Sequence, residues 1–195
     1  MRIVSSFDIR YSNLLIMIIF GIDPGTATTG YGVIKSDKGT NGKGNKTVDL
    51  VELGCIVTLK EQAMPMRLYS IQKELKSLLA QHKPDCVIVE QLFFGINSRT
   101  AMTVGQARGV VLSTTAGLGI PIYEYQGLHV KYTLTGNGRA DKKEMQKIVL
   151  KHLGKHNLKK SMTIHGEGKG YVDDAADALA VAICHDIKIR NGLRS

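Results

Sequence analysis

The sequence GIDPGTATTGYGV at residues 21–33 continues an apolar run that begins at Ile16. An apolar run of this length predicts a buried strand, and the Pro and Gly residues that follow Asp23 predict a turn. A second strand is predicted over residues 30–36. Asp23 is therefore expected at a strand end, where a fold can direct a carboxylate inward.

Three further acids occupy comparable positions. Glu90 ends the apolar run CVIVE, which is typical of a fully buried strand. Asp174 and Asp177 lie three residues apart in DDAADALAVA, where an Ala-rich helical pattern begins, and this spacing places both on one helix face. Four carboxylates at one point would repel one another, and a divalent ion removes that repulsion. Oxygen-only ligands favour a hard ion such as Mg²⁺ or Mn²⁺.

Each acid also has an ordinary structural explanation. Asp23 could be a turn residue, and Glu90 could cap a helix or form an ion pair. The helix dipole favours acids in the first turn of a helix, which would account for Asp174 and Asp177. Helical spacing alone also admits Asp173, which lies four residues before Asp177. Taken singly, these explanations stay open.

The chain is basic, and its charge is unevenly distributed. It has 26 Lys and Arg against 17 Asp and Glu, a net charge of +9, which indicates a polyanionic partner such as nucleic acid. Residues 142–160 hold seven lysines and one glutamate. On the predicted helix 141–153 and just beyond it, lysines recur every four residues, at Lys143, Lys147, Lys151 and Lys155. Such a stripe suits phosphate contact, although it is also typical of a solvated helix face.

The cysteines and the N-terminus indicate a cytoplasmic protein. Cys55, Cys86 and Cys184 are far apart in apolar surroundings, which predicts reduced core residues and not a zinc site or disulfides. The apolar run 14–22 is too short to span a bilayer. Residues 1–13 lack the pattern of a signal peptide, and Met17 is an alternative start. A transit peptide is the other interpretation of this segment.

The length of 195 residues and a 43% hydrophobic composition predict one domain with a substantial core. Strands are predicted over residues 17–22, 30–36, 48–59, 86–90 and 121–125, and helices over 65–82, 98–116, 141–153 and 172–189. The Gly- and Lys-rich segment 35–45 is predicted to connect two strands of a hairpin, and 154–171 is predicted to be a polar loop. This order predicts an α/β fold with a mixed sheet flanked by helices.

Four strings, taken in order, resemble one protein family. They are GIDPGTATTGYGVI, VIVEQLFFGINSRTAMTVGQARGV, IYEYQGLHVKYTLTGNGRADKKEMQ and DDAADALAVAICH. Together they are similar to the RuvC family of bacterial Holliday junction resolvases over residues 18–186. The resemblance implies an RNase H-like fold with a five-stranded mixed sheet. It also implies a nuclease domain at 17–190, with an N-terminal extension at 1–16 and a tail at 191–195.

The resemblance further implies an activity and its partners. The family's homodimers resolve four-way junction DNA in recombination and repair, by Mg²⁺-dependent paired nicking that leaves 5′-phosphate and 3′-hydroxyl ends. Two Mg²⁺ ions per subunit are expected, with Mn²⁺ as a substitute. A branch-migration motor complex of the RuvA and RuvB type is the expected partner.

Site residues follow from the same resemblance. The catalytic, metal-binding acids fall on Asp23, Glu90, Asp174 and Asp177, so Asp173 is left as an acid at the helix N-terminus. DNA-binding residues fall on Phe93, Lys131 and Lys142, and the stripe adds Lys143 and Lys147. Phe93 could be a core residue, but from a loop beyond Glu90 its ring could stack on an unpaired base.

The second predicted helix, over residues 98–116, is a candidate dimer interface. Its small residues Gly105, Ala107 and Gly109 allow a second subunit to approach closely. A two-fold dimer would present two sites to the two opposed strands of a junction.

Three alternative functions share features with this sequence. An RNase H-like nuclease that trims ribosomal RNA precursors would share the GIDPGT opening but not the strings around Phe93 and residues 105–108. A sugar-kinase-like protein would need two domains and a much longer chain. A junction-binding subunit without activity is disfavoured because all four acids are present.

Overall fold

The computed structural model describes residues 16–37, 48–91, 98–154, 162–166 and 172–192. The strands within these ranges are β1 (Ile16–Asp23), β2 (Thr28–Asp37), β3 (Val48–Val57), β4 (Cys86–Gln91), β5 (Ile122–Gln126) and β6 (Met162–Gly166). The helices are α1 (Met64–His82), α2 (Ser98–Gly117), α3 (Gly127–Thr135), α4 (Lys142–His152) and α5 (Val172–Arg190).

The described strands form one mixed sheet in the order β5-β4-β1-β2-β3-β6. Strands β1, β2 and β3 pair antiparallel through successive hairpins, whereas β4 pairs parallel to β1 and β5 parallel to β4. The five predicted strands are all present, and the predicted α/β class with a mixed sheet flanked by helices is confirmed.

Helices cover both faces of the sheet because the central strands are apolar on both sides. Along β1, Met17 and Ile19 face the cluster that includes Val149 of α4 and much of α5. The alternate residues Phe20 and Ile22 pack into the opposite cluster, which is formed with α1 and α2. Helix α5 is buried along most of its length, since it lies between the sheet and the helices α3 and α4.

Two elements differ from the sequence expectation. The prediction of a loop over 154–171 is wrong for residues 162–166, which form β6 and pair parallel to β3 at the edge of the sheet. The string MTIHG is too short to predict a strand by itself, and it gains its regular structure by pairing with β3. Helix α3 is the second element that the sequence does not predict. Its buried side consists of Val130 and Leu134 alone, and no side chain caps its N-terminus, so its local sequence signals are weak.

The cysteine prediction and the membrane question have simple outcomes. Cys55, Cys86 and Cys184 are all buried, as predicted for core residues, and no disulfide joins these three described side chains. Among the described helices, none is both long enough and apolar enough to cross a membrane.

Candidate active site

Strand alternation directs Asp23 and Glu90 to the same face of the sheet. In β1, Asp23 shares its side with Met17 and Ile19, which face α5, and in β4 Glu90 shares its side with Ile88. The two strands are adjacent and parallel, and the pair Ile22 and Val89 immediately precedes the two acids. Asp23 and Glu90 therefore end neighbouring strands beneath α5.

Glycine allows α5 to approach β1 and β2 closely enough to bring its acids to this position. Gly30 pairs with Asp23, and a Cβ atom at Gly30 would lie 2.1 Å from the carbonyl oxygen of Asp174. A Cβ atom at Gly21 would lie 2.0 Å from the carbonyl oxygen of Ala178. A larger residue at either position would push the helix away from the sheet. Gly30 therefore allows Asp174 to lie next to Asp23.

The carboxylates lie within electrostatic range of one another. Burial raises the pKa of Asp23 from its usual 3.8 to about 7, and repulsion from Glu90, Asp177 and Asp174 contributes to the rise. Burial also raises the pKa of Glu90, with further repulsion from Asp177. Burial is also the main cause of the raised pKa values of Asp174 and Asp177. The structure thus brings the four predicted acids into one partly buried group that favours added protons or cations.

Two of the predicted lysines border this group. Burial raises the pKa of Asp23, Asp174 and Asp177, and the positive charge of Lys142 opposes that rise in each of them. Lys131 opposes it in the same way at Glu90 and Asp177. Lys142 is the first residue of α4, which the N-cap Asp141 begins by accepting a hydrogen bond of 2.8 Å from the Glu144 N–H. The other two predicted lysines, Lys143 and Lys147, are exposed on α4.

Asp173 has different surroundings from Asp174. Its Oδ1 atom accepts a 2.7 Å hydrogen bond from Nε2 of Gln146, and Nζ of Lys142 lies 3.9 Å from its Oδ2 atom. Asp173 is exposed, whereas Asp174 is partly buried. The contacts of Asp173 therefore attach the start of α5 to α4.

The four carboxylates fit a hard divalent cation in donor type and in charge. They supply oxygen ligands only, and burial keeps their pKa values raised although Lys131 and Lys142 lie nearby, so a bound cation would favour their charged forms. Within the described residues, no three His, Cys, Asp or Glu side chains lie close enough together to enclose an ion, so the fit rests on donor type and charge.

Sequence reasoning missed the glycines of the site. A Cβ atom at Gly127, the first residue of α3, would lie 2.4 Å from Oε1 of Glu90, so this glycine leaves space for the Glu90 carboxylate. Gly30 and Gly32 lie two residues apart on one face of β2, and that spacing is a signal for close approach by another element. Nothing in the local sequence marks Gly127 in this way.

Three predictions are not tested by the described residues. Phe93 falls within residues 92–97 and Lys155 within 155–161, which are outside the described residues. On α2, a Cβ atom at Gly105 or Gly109 would meet nothing within 4 Å, so this side of the helix has open space. Its role in a dimer stays a prediction.

The acidic group is expected to destabilise the metal-free protein at high pH. Because the pKa of Asp23 is about 7 in the folded chain and near 3.8 when unfolded, its contribution to stability is lost as the pH rises through about 7. Asp23→Asn cannot ionise, so it should stabilise the metal-free protein at about pH 8 by on the order of 3 kcal/mol. The measurement is the free energy of unfolding of both proteins, obtained by chemical denaturation in the presence of a chelator.

The pH dependence provides the control for that measurement. The advantage of Asp23→Asn should disappear near pH 4, where both proteins carry a protonated or neutral group at this position. Glu61→Gln, which changes an exposed acid before α1, should leave the stability nearly unchanged at both pH values. An Asp23→Asn protein less stable than wild type at about pH 8 would contradict the electrostatic interpretation.

Known proteins match this chain over most of its length. Residues 19–185 match the family model described as crossover junction endodeoxyribonuclease RuvC. A protein of that name from Syntrophomonas wolfei is 48% identical over 169 residues, which cover 87% of this chain and 88% of the relative. Its counterpart from Caldicellulosiruptor saccharolyticus is 43% identical, with 87% of this chain and 92% of the relative covered.

A solved structure shows the same fold. The structure of Thermus thermophilus RuvC in complex with a Holliday junction substrate matches this chain with a TM-score of 0.74 at 30% identity. The match covers 91% of this chain and 97% of that one. The RNase H-like fold implied by the sequence resemblance is thereby confirmed. Since the family model and these relatives extend over most of the sequence, the chain belongs to the RuvC family of crossover junction endodeoxyribonucleases.

Proposed function

We propose that the chain is a structure-selective endonuclease that resolves Holliday junctions in recombination and repair. It nicks two opposed strands and leaves 5′-phosphate and 3′-hydroxyl ends. The observation that supports this most directly is the group of four coupled carboxylates bordered by two lysines. That combination suits hydrolysis of a phosphodiester, because the acids can bind metal cations and the lysines can bind the neighbouring phosphates.

The acids are the proposed catalytic and metal-binding residues, and Mg²⁺ is the proposed ion, at two per subunit, with Mn²⁺ as a substitute. When bound, such ions supply Lewis-acid stabilisation of a phosphate and lower the pKa of water. Besides burial, the charges of the other three acids all raise the pKa of Asp23, which supports a position for Asp23 between the two ions. Glu90 would then complete one site and Asp174 with Asp177 the other.

The lysines are proposed to hold the DNA backbone. Lys131 lies next to Glu90 and Asp177, and Lys142 next to Asp23, so each can bind a phosphate that borders the scissile one. Lys143 and Lys147 extend the basic surface along α4. Phe93 remains the proposed residue that enters the junction near the cleaved strand.

The remaining assignments follow the family and are part of the proposal. A homodimer would place two sites on two opposed strands, and the open side of α2 at Gly105 and Gly109 supports close subunit packing. A motor complex of the RuvA and RuvB type would supply the junction. The proposed location is the bacterial cytoplasm, and the proposed nuclease domain is residues 17–190.

Cleavage of defined substrates tests the proposal. The protein is incubated with a synthetic four-way junction, a matched linear duplex and an RNA–DNA hybrid, each with Mg²⁺ and with chelator. Symmetric nicks in the junction, with Mg²⁺ only, are expected. Preferential cleavage of the hybrid would favour the RNA-processing alternative, and junction binding without cleavage would favour a subunit that lacks activity.

A further inference from the structure

Two large apolar side chains are exposed on α3. Leu128 is 68% exposed and Tyr132 is 63% exposed, although Val130 and Leu134 bury the opposite side of the same helix. Leu128 and Tyr132 are four residues apart, so they are neighbours on one helix face. We call this pair the α3 step.

The α3 step adjoins the acidic group. Gly127 abuts the Glu90 carboxylate, and Lys131 influences both Glu90 and Asp177. Around the helix, Leu128 follows Lys131 by about 60°, and Tyr132 follows Leu128 by about 40°. The helix surface therefore passes from the Glu90 carboxylate to a lysine and then to the two apolar side chains.

The backbone beneath the α3 step is held by its own hydrogen bonds. The Gly136 N–H donates to the Tyr132 carbonyl at 2.8 Å, which caps the helix after its last residue, Thr135. The Thr135 hydroxyl donates to the Lys131 carbonyl, also at 2.8 Å. Gly138, in the following loop, lies against Leu128. Both side chains thus project from a short, well-anchored helix and not from a free loop.

We propose that the α3 step packs against an unstacked nucleotide of the cleaved DNA strand, next to a phosphate held by Lys131. This inference rests on the proposed function. The Tyr132 ring offers a flat surface for a base, and Leu128 offers an aliphatic surface for its sugar. A stacked nucleotide would hold the neighbouring phosphate over the carboxylates, so the α3 step is a positioning surface for the reaction.

The charges around the α3 step favour a nucleic acid over a protein as its occupant. Lys131 lies on one side of it, and the exposed Arg139 follows in the loop that leads to Lys142 and Lys143. A cationic border with an apolar centre matches a DNA strand, which carries a phosphate beside every base. Two side chains are also far fewer than the roughly 20 residues per partner of a stable protein interface.

Fluorescence of 2-aminopurine tests the proposal. The analogue is placed in turn at the nucleotides that flank the cut in a synthetic junction, and binding is followed in chelator so that no cleavage occurs. Tyr132→Ala is expected to weaken junction affinity about 10-fold and to remove the stacking quench at one of these positions. Leu128→Ala should give a smaller loss, and Tyr132→Phe should behave like wild type because it keeps the ring.

Tyr69→Ala is the matched control, since Tyr69 is 59% exposed on α1, which packs on the opposite face of the sheet. It should change neither affinity nor quenching. The salt dependence of binding should also be unchanged in Tyr132→Ala, because the ring contacts no phosphate. If the alanine variant folds poorly, Tyr132→Leu replaces it, because leucine keeps an apolar side chain at this position but has no aromatic face, so it should lose the quench in the same way.

Three results would overturn the inference: wild-type quenching in Tyr132→Ala, an equal loss in Tyr69→Ala, or a loss in Tyr132→Phe as large as in Tyr132→Ala. Failure of the proposed function looks different, because wild type itself would then neither prefer the junction nor nick it. If wild type binds and nicks the junction while Tyr132→Ala is indistinguishable from it, only the role of the α3 step is wrong.

Discussion

Asp23→Asn is expected to abolish nicking of a four-way junction while junction affinity stays within about twofold of wild type. Asp23 is the acid that the other three carboxylates all influence, so its charge contributes to every cation position that the group can form. The amide has nearly the same shape but cannot offer a second anionic oxygen. We expect a loss of at least about a thousandfold in the single-turnover rate.

Affinity should survive because the proposed contacts with the DNA backbone come from the lysines and not from the acids. Removing a negative charge from the site should strengthen phosphate binding slightly. Glu90→Gln should behave like Asp23→Asn, and Glu61→Gln, which changes an exposed acid before α1, should behave like wild type. Mg²⁺-dependent nicking retained by both Asp23→Asn and Glu90→Gln would disprove the assignment of these acids.

Asp174→Asn is expected to eliminate junction nicking, whereas Asp173→Asn should retain most of it. The two residues are adjacent, yet they differ by about 100° around α5. Asp174 is partly buried beside Gly30 and Asp23, while Asp173 is exposed and bonded to Gln146 of α4. The two substitutions make the same chemical change one residue apart, so each is the control for the other.

Nicking by the two variants is measured in one Mg²⁺ assay with saturating protein, together with their melting temperatures. Asp173→Asn should cost a little stability, because it weakens the contact with Gln146 and Lys142 at the helix start. Asp174→Asn should not lose stability in chelator, since it removes charge from a repulsive group. An active Asp174→Asn with an inactive Asp173→Asn would show that Asp173 is the metal-site acid.

Several elements were predictable because their own residues carry a strong pattern. The strand predicted over 86–90 is β4, Cys86–Gln91, and the helix predicted over 65–82 is α1, Met64–His82. Continuous apolar runs and regular helical spacing are local signals that depend little on the rest of the chain. The edge strand β6 has no such signal, because its regular structure depends on pairing with β3.

The candidate acids were predictable as residues, but their proximity to one another was not. Apolar runs mark Asp23 and Glu90 as strand ends, and helical spacing marks Asp174 and Asp177 as one face. Neither signal says which face of the sheet receives the strand acids, because β1 and β4 are apolar on both sides and show no alternation of polar and apolar residues.

Tertiary packing decides that face. Helix α5 rests directly on Gly21 and Gly30, where any side chain would collide with its backbone, and this contact brings Asp174 beside Asp23. Likewise, Gly127 leaves space for Glu90, and Lys131 and Lys142 reach the acids from separate helices. The sequence alone therefore identifies the four acids, their order and the strand or helix ends that carry them. Their shared burial, their raised pKa values and their bordering cations arise only from long-range contacts, because desolvation and Coulomb repulsion depend on distances in the folded chain.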